Sequence, residues 1–339
     1  MGKDLHATFP VARSVFEEVD DTLQFKLSTL MFEGNQDELT LTQNAQPAIL
    51  ATSIALLRVL QTECGFNIGQ NGAYALGHSL GEYTALVATG ALSLSDAVSL
   101  VRLRGSAMQD IVNKRDQRTA MTALVLHGTS IASLKKHLDS IQPQLPPHEV
   151  AELANINSSR QVVLSGTRHG VGLAVQELQA RRLAARAIDL PVSAPFHCSL
   201  MQPAATVMAQ AFGLAPKPSP SPPSSTSPSS TSSSAPSPLP VLPVPPLFHT
   251  PIIPVISNVT ARPVVDPQQF PQLLVDQVTR SVQWAPSVEY CQTSGILDFI
   301  AFGPGKVLAN LLKREHPEDK IKNVTNVTDI RDFRNDINP

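Results

Sequence analysis

Cysteine is scarce in this chain. Cys64, Cys198 and Cys291 are odd in number, far apart and free of any C-x-x-C spacing. That excludes a disulfide framework and a thiolate metal or redox centre, and predicts three reduced thiols in an intracellular compartment. Long apolar runs are missing as well. None approaches the ~20 residues of a membrane helix, and the first residues lack the basic, apolar and small-residue order of a secretory signal, so no membrane partner is expected. Without such a signal the Asn-x-Ser/Thr tripeptides at Asn157, Asn258, Asn323 and Asn326 carry no weight as glycosylation sites. Excess charge is absent: 26 basic and 28 acidic residues leave a formal net charge of −2, which gives no reason to expect nucleic acid. A phosphate loop is also absent. Gly303-Pro304-Gly305-Lys306 invites that reading, but Ile300 stands where the first glycine belongs and Val307 follows the lysine. The segment reads instead as a turn into a helix over 307–314.

What remains is an ordinary globular composition, 339 residues with 42% hydrophobic, enough for one large core or two domains. Within it lies Gly77-His78-Ser79-Leu80-Gly81-Glu82-Tyr83, a G-x-S-x-G motif. The apolar Ala73–Leu76 before it predicts a strand, and the Ala- and Leu-rich stretch after it, through Ala91, predicts a helix. Strand, sharp turn and helix is the setting of a nucleophile elbow, in which Ser79 stands exposed at the turn. The two glycines permit the tight backbone, and the helix N-terminus aims free N–H groups at charge developing beside the serine oxygen. The motif alone is also compatible with a chance match.

Partners of the right type exist. His197 lies in the Pro-flanked loop Pro191–Met201, where a base can be held outside a regular element, although a loop histidine is equally at home as a structural residue. Arg104 falls 25 residues beyond Ser79 on a predicted helix over 95–109, with Ser95 as its N-cap; taken alone it fits a solvated arginine. Another helix is predicted over 47–64, opened by Pro47 and stopped by Gly65. From 119 to 189 the pattern shortens to strand 121–126, helix 131–141, strands 150–156 and 161–165, helix 171–182 and strand 185–190. That βαββαβ order is the signature of a ferredoxin-like split unit. Proline, serine and threonine dominate 216–246, with Lys217 its only charge, which predicts a disordered insertion tolerated by the fold. A strand is expected over 254–258.

Together these stretches resemble the malonyl-CoA:acyl carrier protein transacylases. The resemblance rests on Gln46-Pro47-Ala48, the Gly77–Tyr83 block, Leu103-Arg104-Gly105, Asn155–Ser158 with Gln161-Val162-Val163, Phe196-His197, Ser281–Trp284 and Gly303–Leu308, in the family's order from about residue 10 to 315. It implies an α/β fold: a discontinuous α/β hydrolase-like large subdomain with a parallel sheet core, 1–118 and 190–339, and an inserted ferredoxin-like small subdomain, 119–189. It also implies malonyl transfer from coenzyme A to the phosphopantetheine thiol of acyl carrier protein, in fatty acid biosynthesis, with ping-pong kinetics, no cofactor and no metal.

In that family's terms Ser79 is the nucleophile and His197 the base, oriented by a main-chain carbonyl near Gln277 and not by Asp189. Leu80 supplies an oxyanion donor. Arg104 takes the malonyl carboxylate with Gln46 beside it, Phe196 crowds an α-methyl branch, and His78 and Asn157 line the site. The family's pattern opens with a strand and Gly-Gln-Gly-Ser-Gln, whose last residue gives a second oxyanion donor; Met1 aligns just after it, so a catalytically impaired carrier-binding homologue is one alternative and a serine thioesterase another. An acidic carrier predicts a basic docking patch, for which Lys306, Lys313 and Arg314 are candidates. A monomer is expected, in mitochondria if the chain is eukaryotic and otherwise in the cytoplasm.

Overall fold

The computed structural model of the chain describes residues 1–113, 118–191, 194–214 and 246–337. The expected insertion at 216–246 lies outside these residues except for Pro246, and so do residues 192 and 193 of the histidine loop.

The central element is the helix Thr42–Cys64, which buries side chains on almost every face, among them Leu50, Ile54, Leu56 and Leu60. A helix apolar all round must be covered on all sides. The helices Pro10–Leu23, Leu80–Ala88 and Leu94–Asn113 cover it, and Phe16, Leu86, Val98 and Val101 complete one continuous core with it. The helix begins at Thr42, not at the expected Pro47. A proline inside a helix leaves the carbonyl four residues back without its N–H partner. Here that carbonyl, Gln43 O, accepts from Arg102 Nη1 at 2.9 Å, a remote contact invisible to local pattern. The next helix likewise starts earlier, at Leu94, because Ser93 and not Ser95 caps it: Ser93 Oγ accepts from Asp96 N at 3.0 Å.

The βαββαβ order is present between 119 and 189. Strands β1 (Thr119–Leu126), β2 (Ala151–Ile156), β3 (Gln161–Thr167) and β4 (Ala184–Asp189) form one antiparallel sheet in the order β2-β3-β1-β4. Alternation along the strands gives the sheet two apolar faces. Leu124, Val162 and Leu164 pack under the helices Ile131–Ile141 and Arg168–Ala180, while Met121, Ala123 and Val163 on the other face meet Phe196. That second face places the sheet against the loop that carries His197.

Elsewhere the strands are short. Strands β5 (Val255–Ile256) and β6 (Pro263–Val264) pair antiparallel, and β7 (Asp298–Phe302) and β8 (Lys320–Val324) pair parallel. In place of the expected strands at 73–76 and 254–258 there is one parallel bridge, Ala75 with Val255, beside the two residues of β5. The ladder stops because the following residues turn to other partners. Ser257 N turns to Arg262 O at 3.0 Å, and the Asn258 side chain bonds the elbow instead of a strand.

Candidate active site

Ser79 stands between the Ala75 bridge and the helix Leu80–Ala88 with φ 53° and ψ −106°. A left-handed φ at a non-glycine residue costs energy and persists only where surroundings enforce it. Two contacts do so: Ser79 N donates to Asn258 Oδ1 at 2.6 Å, and Gln277 Nε2 donates to Ser79 O at 3.1 Å. Asn258 Nδ2 also donates to Gly77 O at 2.6 Å, so one asparagine clamps both sides of the turn. Gly77 is obligatory, since a Cβ there would meet the Gly81 backbone at 2.1 Å. Leu80 opens the helix, and its N–H is among the donors that a helix start leaves free beside the serine.

His197, also left-handed at φ 59°, places Nε2 at 2.8 Å from Ser79 Oγ. Its Nδ1 lies 2.8 Å from the main-chain carbonyl of Gln277. A carbonyl only accepts, so Nδ1 carries the proton and Nε2 presents its lone pair to the serine hydroxyl. Burial, reinforced by the Arg104 charge, lowers the imidazole from the ordinary 6.5 to about 3, which keeps it neutral. Two residues on, Ser199 N donates to the Glu152 carboxylate of β2 at 2.9 Å, tying the histidine loop to the antiparallel sheet. Asp189 is remote from this arrangement: Thr122 Oγ1 donates to it at 2.7 Å and Arg168 stands 3.7 Å away.

Arg104 is only 2% exposed. Its Nη1 donates to Gln46 Oε1 at 2.8 Å, and its Nη2 to Gln277 Oε1 at 3.0 Å and to Ser79 Oγ at 3.1 Å. The Tyr83 ring lies beneath the guanidinium, 5.8 Å away. Among the described residues its buried Nε has no acceptor. Burial pulls its pKa down, but an arginine keeps its charge. A buried cation with a vacant donor beside a serine hydroxyl suits an anionic group on a bound molecule.

The expected residues therefore fall into one network, Ser79, His197, Arg104, Gln46 and Gln277, with a satellite beside it. In the satellite His78 Nε2 lies 3.0 Å from Asn157 Oδ1 and the ring stands against Trp284 at 5.9 Å; burial lowers the His78 pKa. Phe196 is half-buried on the sheet face described above. Lys306, Lys313 and Arg314 are exposed around the helix Val307–Glu315, with Arg314 Nη2 donating to Gln161 Oε1 at 3.2 Å.

Two buried residues escaped the sequence reading. Asn258 counted only as a strand end and a discounted glycosylation tripeptide. Glu82 was part of the motif but without a role; its Oε2 accepts from Gln277 Nε2 at 2.7 Å and Asn258 N at 3.1 Å. Burial raises its carboxyl to about 7 against the lowering effect of those bonds. An acid inside the first turn of a helix that is otherwise apolar was the available signal.

The acyl transferase domain model matches residues 1–239. The chain belongs to that acyltransferase family. The acyltransferase is 38% identical over 93% of its length to the malonyl CoA-acyl carrier protein transacylase of Bacillus subtilis (strain 168), covering 85% of that protein. It is 34% identical over 92% of its length to that of Escherichia coli (strain K12), covering 86%. The crystal structure of the acyl-carrier-protein-S-malonyltransferase from Bartonella henselae superposes with a TM-score of 0.82 at 36% identity, covering 100% of this chain and 95% of that one. A malonyl-transacylase in complex with its type II PKS acyl-carrier protein superposes with a TM-score of 0.80 at 29% identity, covering 99% and 94%.

Proposed function

We propose that the acyltransferase moves malonyl groups from coenzyme A to acyl carrier protein in fatty acid biosynthesis, through a malonyl ester of Ser79. The observation that carries this reading is the buried Arg104 guanidinium, with Nη2 3.1 Å from the nucleophilic oxygen. Ser79 Oγ attacks the thioester carbonyl while His197 Nε2 takes its proton. The carbonyl oxygen, now anionic, faces the Leu80 N–H at the helix start. As the carbon–sulfur bond breaks, His197 returns the proton to the departing thiol, leaving the ester. The carrier's phosphopantetheine thiol then attacks that ester, His197 takes the thiol proton, and it reprotonates Ser79 as the ester bond breaks.

The malonyl carboxylate sits on Arg104 and Gln46 throughout, which favours this reading over a thioesterase without a carboxylate subsite. His78 and Asn157 line the acyl pocket, and Phe196 limits its width. The resemblance of the matched transacylases further supports a hydrolase-like large subdomain, 1–118 and 190–339, holding the ferredoxin-like unit of 119–189. The similarity to a transacylase bound to its carrier supports acyl carrier protein as partner, with Lys306, Lys313 and Arg314 as docking candidates on an otherwise monomeric protein.

The test is Arg104→Ala in single-turnover acylation with malonyl-CoA and acetyl-CoA. Losing a buried charge-assisted pair costs ~2–4 kcal/mol, so malonyl loading should fall roughly 30- to 1,000-fold relative to acetyl loading. Equal losses for both substrates would mean that Arg104 supports the fold and reads no carboxylate.

A further inference from the structure

The side-chain amide of Gln277 is fully used: its two N–H bonds go to Glu82 Oε2 at 2.7 Å and Ser79 O at 3.1 Å, and its oxygen accepts from Arg104 Nη2 at 3.0 Å. A negative and a positive side chain thus stand on opposite sides of one buried amide. Turning the amide over would set its oxygen against a carboxylate and its N–H against a guanidinium, two losses at once. Arg104 can only donate, so it needs the oxygen. Glu82 Oε2 takes two N–H donors, one from Gln277 and one from Asn258 N. Any carboxyl proton therefore resides on Oε1, and Oε2 remains an acceptor in either ionisation state.

From this juxtaposition the geometry points to Glu82 as a positioning residue for acyl choice: by fixing the Gln277 amide it fixes where the Arg104 fork stands beside Ser79. Glu82 touches no reacting atom. It acts through Gln277 on the carboxylate-reading arginine; its other bond is to the Asn258 main-chain N–H, while the Asn258 side chain holds the elbow through its own bonds to Ser79 N and Gly77 O. The same Gln277 holds His197 with its main-chain carbonyl, a contact that does not depend on which way the side-chain amide faces. Loss of the Glu82 acceptor should therefore damage the choice of acyl group more than the basic capacity to acylate. This inference rests on the malonyl-transfer reading given above.

The experiment compares wild type, Glu82→Met and Glu82→Gln in single-turnover acylation with malonyl-CoA and with acetyl-CoA, followed by intact-protein mass spectrometry. Methionine keeps the volume and removes the acceptor, while glutamine keeps an oxygen in its place. Leaving buried N–H groups unpaired should reduce the malonyl-to-acetyl ratio of Glu82→Met by at least about tenfold. Glu82→Gln should keep the ratio within about threefold of wild type, at a lower absolute rate. Equal losses of both substrates in Glu82→Met, an unchanged ratio, or a glutamine variant as indiscriminate as the methionine one would overturn the proposal.

Should Glu82→Met not fold, Gln277→Leu takes its place, since it leaves both Glu82 and the Gln277 main-chain carbonyl intact. An unchanged malonyl preference in that variant overturns the proposal equally. Wild type separates the two layers of the reading. If it forms no malonyl-enzyme at all, the assigned activity fails; if it forms one and the variants behave otherwise than stated, only the role of Glu82 fails.

Discussion

At the scale of single residues, the site is governed by burial of charge. His197 is surrounded by protein and faces Arg104 through Ser79, and both effects disfavour a second positive charge, burial the more strongly. Its folded value of about 3 lies below the ordinary 6.5, so between those values the unfolded chain binds a proton that the folded chain refuses. Stability from this group is therefore present above the unfolded value and lost as pH falls towards the folded one. For the proposed mechanism this supplies a base that stays unprotonated through the mildly acidic range. Nitrogen NMR of the His197 ring should report the neutral form, with the proton on Nδ1, at pH 5 and above. A midpoint near 6.5 would show a solvated histidine and a looser site than the one described.

At the scale of elements, the elbow was legible because its requirements are local. Ser79 needs a left-handed turn, Gly77 needs to lose its Cβ, and a helix must begin at once; all of these are written in consecutive residues. The two motif glycines nevertheless differ. A Cβ on Gly77 runs into the Gly81 backbone at 2.1 Å, whereas one on Gly81 meets nothing within 4 Å. Gly77→Ala should cost about 3 kcal/mol or more, because backbone must move, while Gly81→Ala, in a helix, should stabilise by up to ~1 kcal/mol. Thermal melting of the two variants checks this; equal effects would mean that the close approach at Gly77 is not what holds the turn. Helix starts were less legible. The carbonyl freed by Pro47 is satisfied by Arg102, 59 residues away in sequence from Gln43, and no periodicity announces such a contact. Strands 254–258 and 73–76 were overestimated for a related reason: apolar runs suggested ladders, but Asn258 spends its amide on the elbow.

At the scale of the whole molecule, the site exists because four distant segments converge on Ser79. Gln46 comes from the central helix, Arg104 from the next long helix, His197 from the loop under the antiparallel sheet, and Gln277 and Asn258 from the C-terminal third. The βαββαβ unit was legible as alternating short elements, and its second apolar face explains how it seats the histidine loop. The convergence itself could be inferred only by resemblance, because spacing in sequence does not encode which helices pack together. That is also why Glu82 and Asn258 escaped notice: each looks unremarkable until Gln277 and Ser79 are brought beside it.

The central claim is that one serine carries the malonyl group between two thiols. It is tested most directly by mixing the protein with malonyl-CoA, recording its intact mass, and then adding acyl carrier protein that bears phosphopantetheine. The account predicts one malonyl group on the wild-type chain, located at Ser79, absent from Ser79→Ala, and transferred to the carrier in the second step. A malonyl group gained by Ser79→Ala at this site, or a malonyl-enzyme that releases free malonate and never loads the carrier, would contradict it.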